Sequence, residues 1–150
     1  MSVYSHLPLL LVEDCPEDYV TTVRMLNRSG LSIPFYHCED GDDALDFLYR
    51  RGPYTDPNRS PRPAIILLDL NLPGTDGREV LRQIKQDEDL KVIPVLVFTT
   101  SNHEADIKAC YQAGANSYIQ KPIDRDAFKQ AMQRLKEYWF DVVLLPQGRS

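Results

Sequence analysis

The segment Ile65-Ile66-Leu67-Leu68-Asp69-Leu70-Asn71-Leu72-Pro73-Gly74 runs through large aliphatics, meets an aspartate and turns at Pro-Gly. Apolar side chains at consecutive positions from 64 to 68, rather than at alternate ones, mark a strand covered on both faces. That is the pattern of a parallel sheet with helices above and below it. Open parallel sheets bind ligands at the carboxyl ends of their strands, where the chain leaves the core. Asp69 therefore stands where such a fold does chemistry.

A second run, Leu9-Leu10-Leu11-Val12, also ends in acid, at Glu13 and Asp14. If the two strands are neighbours, three carboxylates converge, and unneutralised like charges raise each other's pKa. Something cationic should relieve them. Hard oxygen donors suit Mg²⁺, which takes one or two carboxylates and keeps several waters for a phosphate to displace. Lys121, between the apolar pair Tyr118-Ile119 and Pro122, offers a fixed cation as well. A further strand over 94–98 ends in Thr99-Thr100-Ser101 and supplies hydroxyl donors at the same edge.

Strand and helix alternate five times along the chain. Pro16 suits the first turn of a helix carrying Val20, Val23 and Leu26, which Gly30 stops. A short strand over 33–38 leads through Asp40-Gly41-Asp42 into a helix with Ala44, Leu45 and Leu48. Gly52 and prolines at 53, 57, 61 and 63 make 50–63 a long surface loop. Val80, Leu81 and Ile84 form the buried stripe of the next helix. Ser101 and Glu104 stand at capping-box spacing, Ile107 and Cys110 share a face, and Gly114 reads as a C-cap. The last helix starts near Asp124. Alternation with short links implies right-handed crossovers and a three-layer α/β sandwich.

A chain of 150 residues that is 43% hydrophobic is one domain's worth, with no room for a separate effector domain. The net charge of -5 argues against binding a nucleic-acid backbone, which needs a basic face. Three cysteines without close pairing, Cys15, Cys38 and Cys110, read as reduced thiols of a cytoplasmic protein. No signal peptide is evident, and no apolar run approaches the roughly 20 residues that span a bilayer. The three histidines are scattered and carry no assigned role.

Taken together, Glu13-Asp14, Asp69 in its Leu-Leu-Asp-Leu-Asn-Leu-Pro context, Thr99 and Lys121-Pro122 resemble the receiver domain of two-component response regulators. The resemblance covers about residues 7 to 136. It implies a flavodoxin-like sandwich around a five-stranded parallel sheet of order 2-1-3-4-5 with five helices. It also implies that Asp69 accepts a phosphoryl group from a sensor histidine kinase, with Lys121 and Thr99 assisting. Asp14, Asp69 and the Asn71 backbone carbonyl would bind Mg²⁺, with Glu13 acting through water. Thr99 and Tyr118 would form the switch. Such a protein is no enzyme in the usual sense, since it promotes only its own phosphorylation and dephosphorylation.

Singly, these residues have plainer readings. Glu13 and Asp14 suit the N-terminus of any helix, Thr99 suits any strand end, Asn71 any turn, and Lys121 any surface. Tyr118 reads equally as half-buried packing. A phosphatase of the haloacid-dehalogenase type also uses a strand-end aspartate with Mg²⁺, but it favours a second aspartate two positions on, where this chain has Asn71. An adaptor that binds without phosphorylation is the remaining alternative.

The proline-containing loop, the segment 71–81 and the Trp-containing tail look most like the stand-alone regulators of bacterial, cyanobacterial-type phytochrome histidine kinases. That narrower likeness implies a light-sensing kinase as donor. The last helix carries Phe128, Met132, Leu135 and Trp139 at helical spacing, and an apolar extension over 138–146 follows. Tyr138, Trp139, Phe140, Leu144 and Leu145 are more apolar surface than one domain's core requires. The expectation is a homodimer joined through the last helix and tail, with no nucleic-acid or membrane partner.

Overall fold

Helix and strand alternate in the computed structural model, which describes residues 7–146: β1 (Leu9–Val12), α1 (Pro16–Arg28), β2 (Phe35–Cys38), α2 (Gly41–Tyr49), β3 (Ile65–Leu68), α3 (Gly77–Gln86), β4 (Val95–Thr99), α4 (Glu104–Ala113), β5 (Ser117–Gln120) and α5 (Arg125–Lys136). The five strands are parallel and lie in the order β2-β1-β3-β4-β5, as expected. β1, β3 and β4 occupy the centre and are buried throughout, which is why they read as unbroken aliphatic runs. The two edge strands are only partly covered.

Side chains alternate between two cores. Leu9, Leu11, Ile65, Leu67, Leu96 and Phe98 point to the layer formed by Met25 and Leu26 of α1 with Phe128, Met132 and Leu135 of α5. Leu10, Val12, Ile66, Leu68, Val95 and Val97 point to the layer that includes Leu45, Phe47, Val80, Ile84 and Cys110. A strand's period of two feeds both faces from one run of residues.

Side-chain chemistry starts three of the helices. Asp40, Asp76 and Asp124 are N-caps whose carboxylates accept from the backbone N–H of Asp43, Arg78 and Ala127. Pro16 occupies the first turn of α1, and Gly114 closes α4 in the left-handed conformation (φ 109°). Two details differ from the sequence pattern. α1 buries Thr22, Met25 and Leu26, whereas Val20 faces out, so the apolar stripe is shifted by one position. Ser101 and Glu104 form no capping box: the N-cap of α4 is His103, without a side-chain bond, and the Ser101 hydroxyl donates to Asp106 instead. The loop over 50–63 is ordered by a short 3₁₀ turn, by the buried Ser60 hydroxyl donating to the Tyr54 carbonyl (2.7 Å), and by the Tyr54 hydroxyl donating to Asp43 (2.7 Å).

The tail corrects the expected interface. After Leu135 an α-helix would bring Trp139 inward, but residues Glu137–Val142 widen into a π-helix, closed by a bond from the Val143 N–H to the Tyr138 carbonyl (2.9 Å). A five-residue step from Leu135 turns Phe140 into the core, and Leu145 follows it there. Phe140 and Leu145 are thus buried in their own domain and are not free for a second copy. Trp139 packs half-buried beside them, whereas Tyr138, Val142 and Leu144 face outward. Phe140→Ala is expected to lower unfolding free energy by about 3 kcal/mol, and Leu144→Ala by less than about 0.5 kcal/mol, both read from denaturant titrations.

Candidate functional site

The sheet's hydrogen-bond ladder continues one residue past the strand ends and fixes the site. The backbone N–H of Glu13 donates to the Cys38 carbonyl (3.0 Å), that of Asp69 to Val12 (3.0 Å), and that of Lys121 to Thr99 (2.7 Å). Three charged residues on three strands therefore hold a common level. The start of α3 packs against the same edge because residue 77 is glycine: a Cβ there would lie 2.2 Å from the Asp69 carbonyl oxygen. On the outer side, His37 Nε2 donates to the Glu13 carbonyl (2.7 Å), with its ring stacked on Tyr19 at 3.8 Å.

Lys121 organises the charges. Its ammonium donates to Glu13, to Asp18 (3.0 Å) and to Asp69 (3.1 Å), and it lies 5.7 Å from the centre of the Phe98 ring. The Lys121, Glu13 and Asp69 side chains are only 5, 6 and 8% exposed. Burial disfavours the charged ammonium, but the bond to Glu13 and the charges of Asp69 and Glu13 outweigh it, so Lys121 titrates above its ordinary value. Burial is also the largest influence on the Glu13 carboxyl and lifts it above the usual carboxylate range, against the pull of Lys121.

Ligand oxygens of Glu13, Asp14 and Asp69 lie within 4.8 Å of one another, with Asp14 exposed at the mouth. Glu13, Asp18 and Asp69 all bond the one ammonium, and Asp14 adds a fourth carboxylate to the cluster. Hard oxygen donors with surplus negative charge and an open side fit a small divalent cation. The Thr99 hydroxyl, at the end of the neighbouring strand β4, is fully buried and has no hydrogen-bond partner in the described structure.

The expected residues divide by role. Glu13, Asp14, Asp69 and Lys121 are brought together, and Thr99 lies on the adjoining strand end. Asn71 is exposed, and its backbone N–H donates to Asp69 Oδ1 (3.3 Å). Tyr118 is half-buried against the core, and its hydroxyl donates to the Ser101 carbonyl (3.0 Å). The sequence reading missed Asp18, His37 and a bridge between α3 and α4. In that bridge Arg78 holds both Asp106 oxygens (2.8 and 2.9 Å), and the Ser101 hydroxyl donates to Asp106 (2.7 Å). Asp18 had a signal, since it stands four residues after Asp14 on a helix opened by Pro16. The Arg78–Asp106 pair, 28 residues apart, had none.

Comparison with known proteins gives one consistent family. Residues 9–133 match the response regulator receiver domain. Response regulator Rcp1 of Synechocystis sp. is 44% identical over 139 residues, covering 92% of each chain. Among solved structures, the Mn²⁺-bound form of response regulator Rcp1 superposes with a TM-score of 0.87 at 41% identity, covering 94% of this chain and 99% of that one. The phosphorylated cyanobacterial phytochrome response regulator RcpA gives 0.88 at 38% identity, covering 95% and 99%.

The α3–α4 bridge has a measurable signature. The Arg78 bond, with help from Ser101, holds the Asp106 carboxyl near about 2, below its ordinary 3.8. A depressed carboxyl adds stability above its unfolded pKa and loses it as pH falls through the folded one. Asp106→Asn is therefore expected to cost about 1 kcal/mol at neutral pH. That difference should shrink as unfolding is repeated from pH 4 down to pH 2.

Proposed function

The chain belongs to the response regulator receiver family, and we propose that within it Asp69 accepts a phosphoryl group from a sensor histidine kinase of the phytochrome type. The observation that carries this reading is the arrangement around Asp69: a strand-end carboxylate bonded to a buried lysine within an acidic cluster, with a buried threonine ending the adjoining strand. An Asp69 carboxylate oxygen attacks phosphorus in phosphohistidine. The new P–O bond forms as the P–N bond breaks, the bonding pair stays on the ring nitrogen, and the ring, protonated on its other nitrogen, leaves as neutral imidazole. Transfer of this kind needs alignment and neutralised oxygens more than covalent machinery.

Lys121 supplies a fixed positive charge to the phosphoryl oxygens, and the Thr99 hydroxyl gains its missing acceptor. Asp14 and Asp69, with the Asn71 carbonyl, would hold Mg²⁺ directly and Glu13 would act through water. The ion would add charge neutralisation at the same oxygens. The chemistry ends at the protein's own aspartate, followed by hydrolysis, with no external substrate turned over. Support for the phytochrome partner comes from RcpA, a phytochrome response regulator. The open face of α1, formed by Tyr19, Val20, Val23, Arg24 and Arg28, is the surface we assign to the kinase.

Output follows from the shift in populations that the phosphoryl group produces by binding one conformation better. Thr99 moves toward the phosphate, and Tyr118 is the aromatic partner of that movement. The α4–β5–α5 side is the responding face. Among the described residues no helix is long and apolar enough to cross a membrane. Incubation with Mg²⁺ and phosphoramidate should add one phosphoryl group by intact mass, and Asp69→Asn should add none while keeping the fold. Labelling of folded Asp69→Asn would remove Asp69 as acceptor.

The receiver domain with its apolar extension can also pair with a second copy. Tyr138, Val142 and Leu144 are 56, 70 and 87% exposed, and they support a two-fold contact through the last helix and tail. Stable interfaces bury about 800 Å² per partner, so Trp139 and neighbouring α5 surface must share in it. The double change Tyr138→Ser with Leu144→Ser spares the buried Phe140 and Leu145. In sedimentation at several concentrations it should shift the protein toward monomer without abolishing phosphorylation. A wild type that stays monomeric at high micromolar concentration would exclude the dimer.

A further inference from the structure

Building on the phosphoacceptor reading of Asp69, we propose that Asp18 is a positioning residue for Lys121, one that limits how many hydrogen bonds the lysine can give to the phosphoryl group. An ammonium has three N–H donors and no more. All three are taken: one by Glu13, one by Asp18 at 3.0 Å and one by Asp69 at 3.1 Å. Lys121 is almost wholly buried, so water has little access to it.

The three acceptors are not equally free to let go. Glu13 is buried, and its other oxygen already accepts from the Cys15 N–H (3.2 Å), so releasing it from Lys121 would leave a buried carboxyl oxygen without its partner. Asp69 loses its own negative charge when its oxygen becomes the bridge of an acyl phosphate, and the charge moves out onto the phosphoryl oxygens. The donor it held passes to one of those oxygens. Asp18 keeps the third donor, because its charge does not change on phosphorylation. With a side chain 38% exposed, it can be removed and replaced by water without stranding a buried ion.

Lys121 thus offers the phosphoryl group one N–H where it could offer two. Without Asp18, the second N–H is left with water as its competitor, and an oxygen of the doubly charged phosphoryl group is the stronger acceptor. Asp18 therefore loosens the phosphorylated state. Its neighbour Glu17 is the control, since it carries the same charge in the same turn, is exposed, and bonds the Cys15 thiol rather than Lys121.

The test is equilibrium binding of trifluoroberyllate, a mimic of a phosphoryl group on a carboxylate, to the full chain in Mg²⁺ by calorimetry. Asp69→Asn serves as the blank. Asp18→Ala should bind the mimic about fivefold more tightly than wild type, and Glu17→Ala should bind as wild type does. Asp18→Asn, which keeps the shape of the side chain, should shift in the same direction and covers the case in which Asp18→Ala does not fold. A gain in affinity is not what loss of a merely structural contact produces. Unchanged or weaker binding in both Asp18 variants, or equal tightening in Glu17→Ala, would overturn the proposal while leaving Asp69 as acceptor. A folded wild type that binds no mimic would overturn both readings.

Discussion

One buried ammonium holds this site together. Lys121 reaches from the end of β5 to carboxylates on the ends of β1 and β3 and on the first turn of α1. Placing Glu13 and Asp69 inside the protein would be costly if either stood alone. With Lys121 between them, acids from separate strands coexist within reach of one ligand. The ordinary sheet ladder, extended one residue beyond each strand, sets their level, so the precision of the site comes from the backbone.

The same arrangement leaves the site incomplete in a useful direction. Four carboxylates against one lysine keep a surplus of negative charge, which suits a divalent cation, and the buried Thr99 hydroxyl lacks an acceptor. A phosphoryl group on Asp69 would meet Lys121 and that hydroxyl. From Thr99 the chain runs directly into Ser101, whose carbonyl accepts from Tyr118 and whose hydroxyl donates to Asp106, itself held by Arg78. In the proposed switch, a movement at Thr99 would act on the loop that carries Ser101, whose side chain and carbonyl link to Asp106 of α4 and to Tyr118.

Much of this was legible in the sequence because it is written in short runs. Aliphatics on both faces of 9–12 and 65–68 gave central parallel strands, and the residues that end them gave Glu13, Asp14 and Asp69. Thr99 and Lys121 followed from the same logic at the other strands. What escaped depends on geometry between distant residues or on a change in helical period. Asp18 joins the site only because α1 starts at Pro16, and Arg78 meets Asp106 only once α3 and α4 lie side by side. The tail was misread because Trp139 continues the α-helical stripe from Leu135, whereas the π-helix carries Phe140 inward instead. Counting apolar residues correctly found a surplus there, but it could not divide them between the core and the surface.

Asp69 is proposed as the phosphoacceptor because it ends the central strand β3, bonds Lys121 and shares the acidic cluster with Glu13 and Asp14, while Thr99 ends the neighbouring strand β4. Borohydride reduces an aspartyl phosphate to homoserine, so the protein phosphorylated by its histidine kinase can be trapped, digested and sequenced by mass spectrometry. The account predicts homoserine at position 69 and unmodified aspartate at positions 14 and 18. Homoserine at either of those positions, or none anywhere in a protein that carries phosphate, would contradict it.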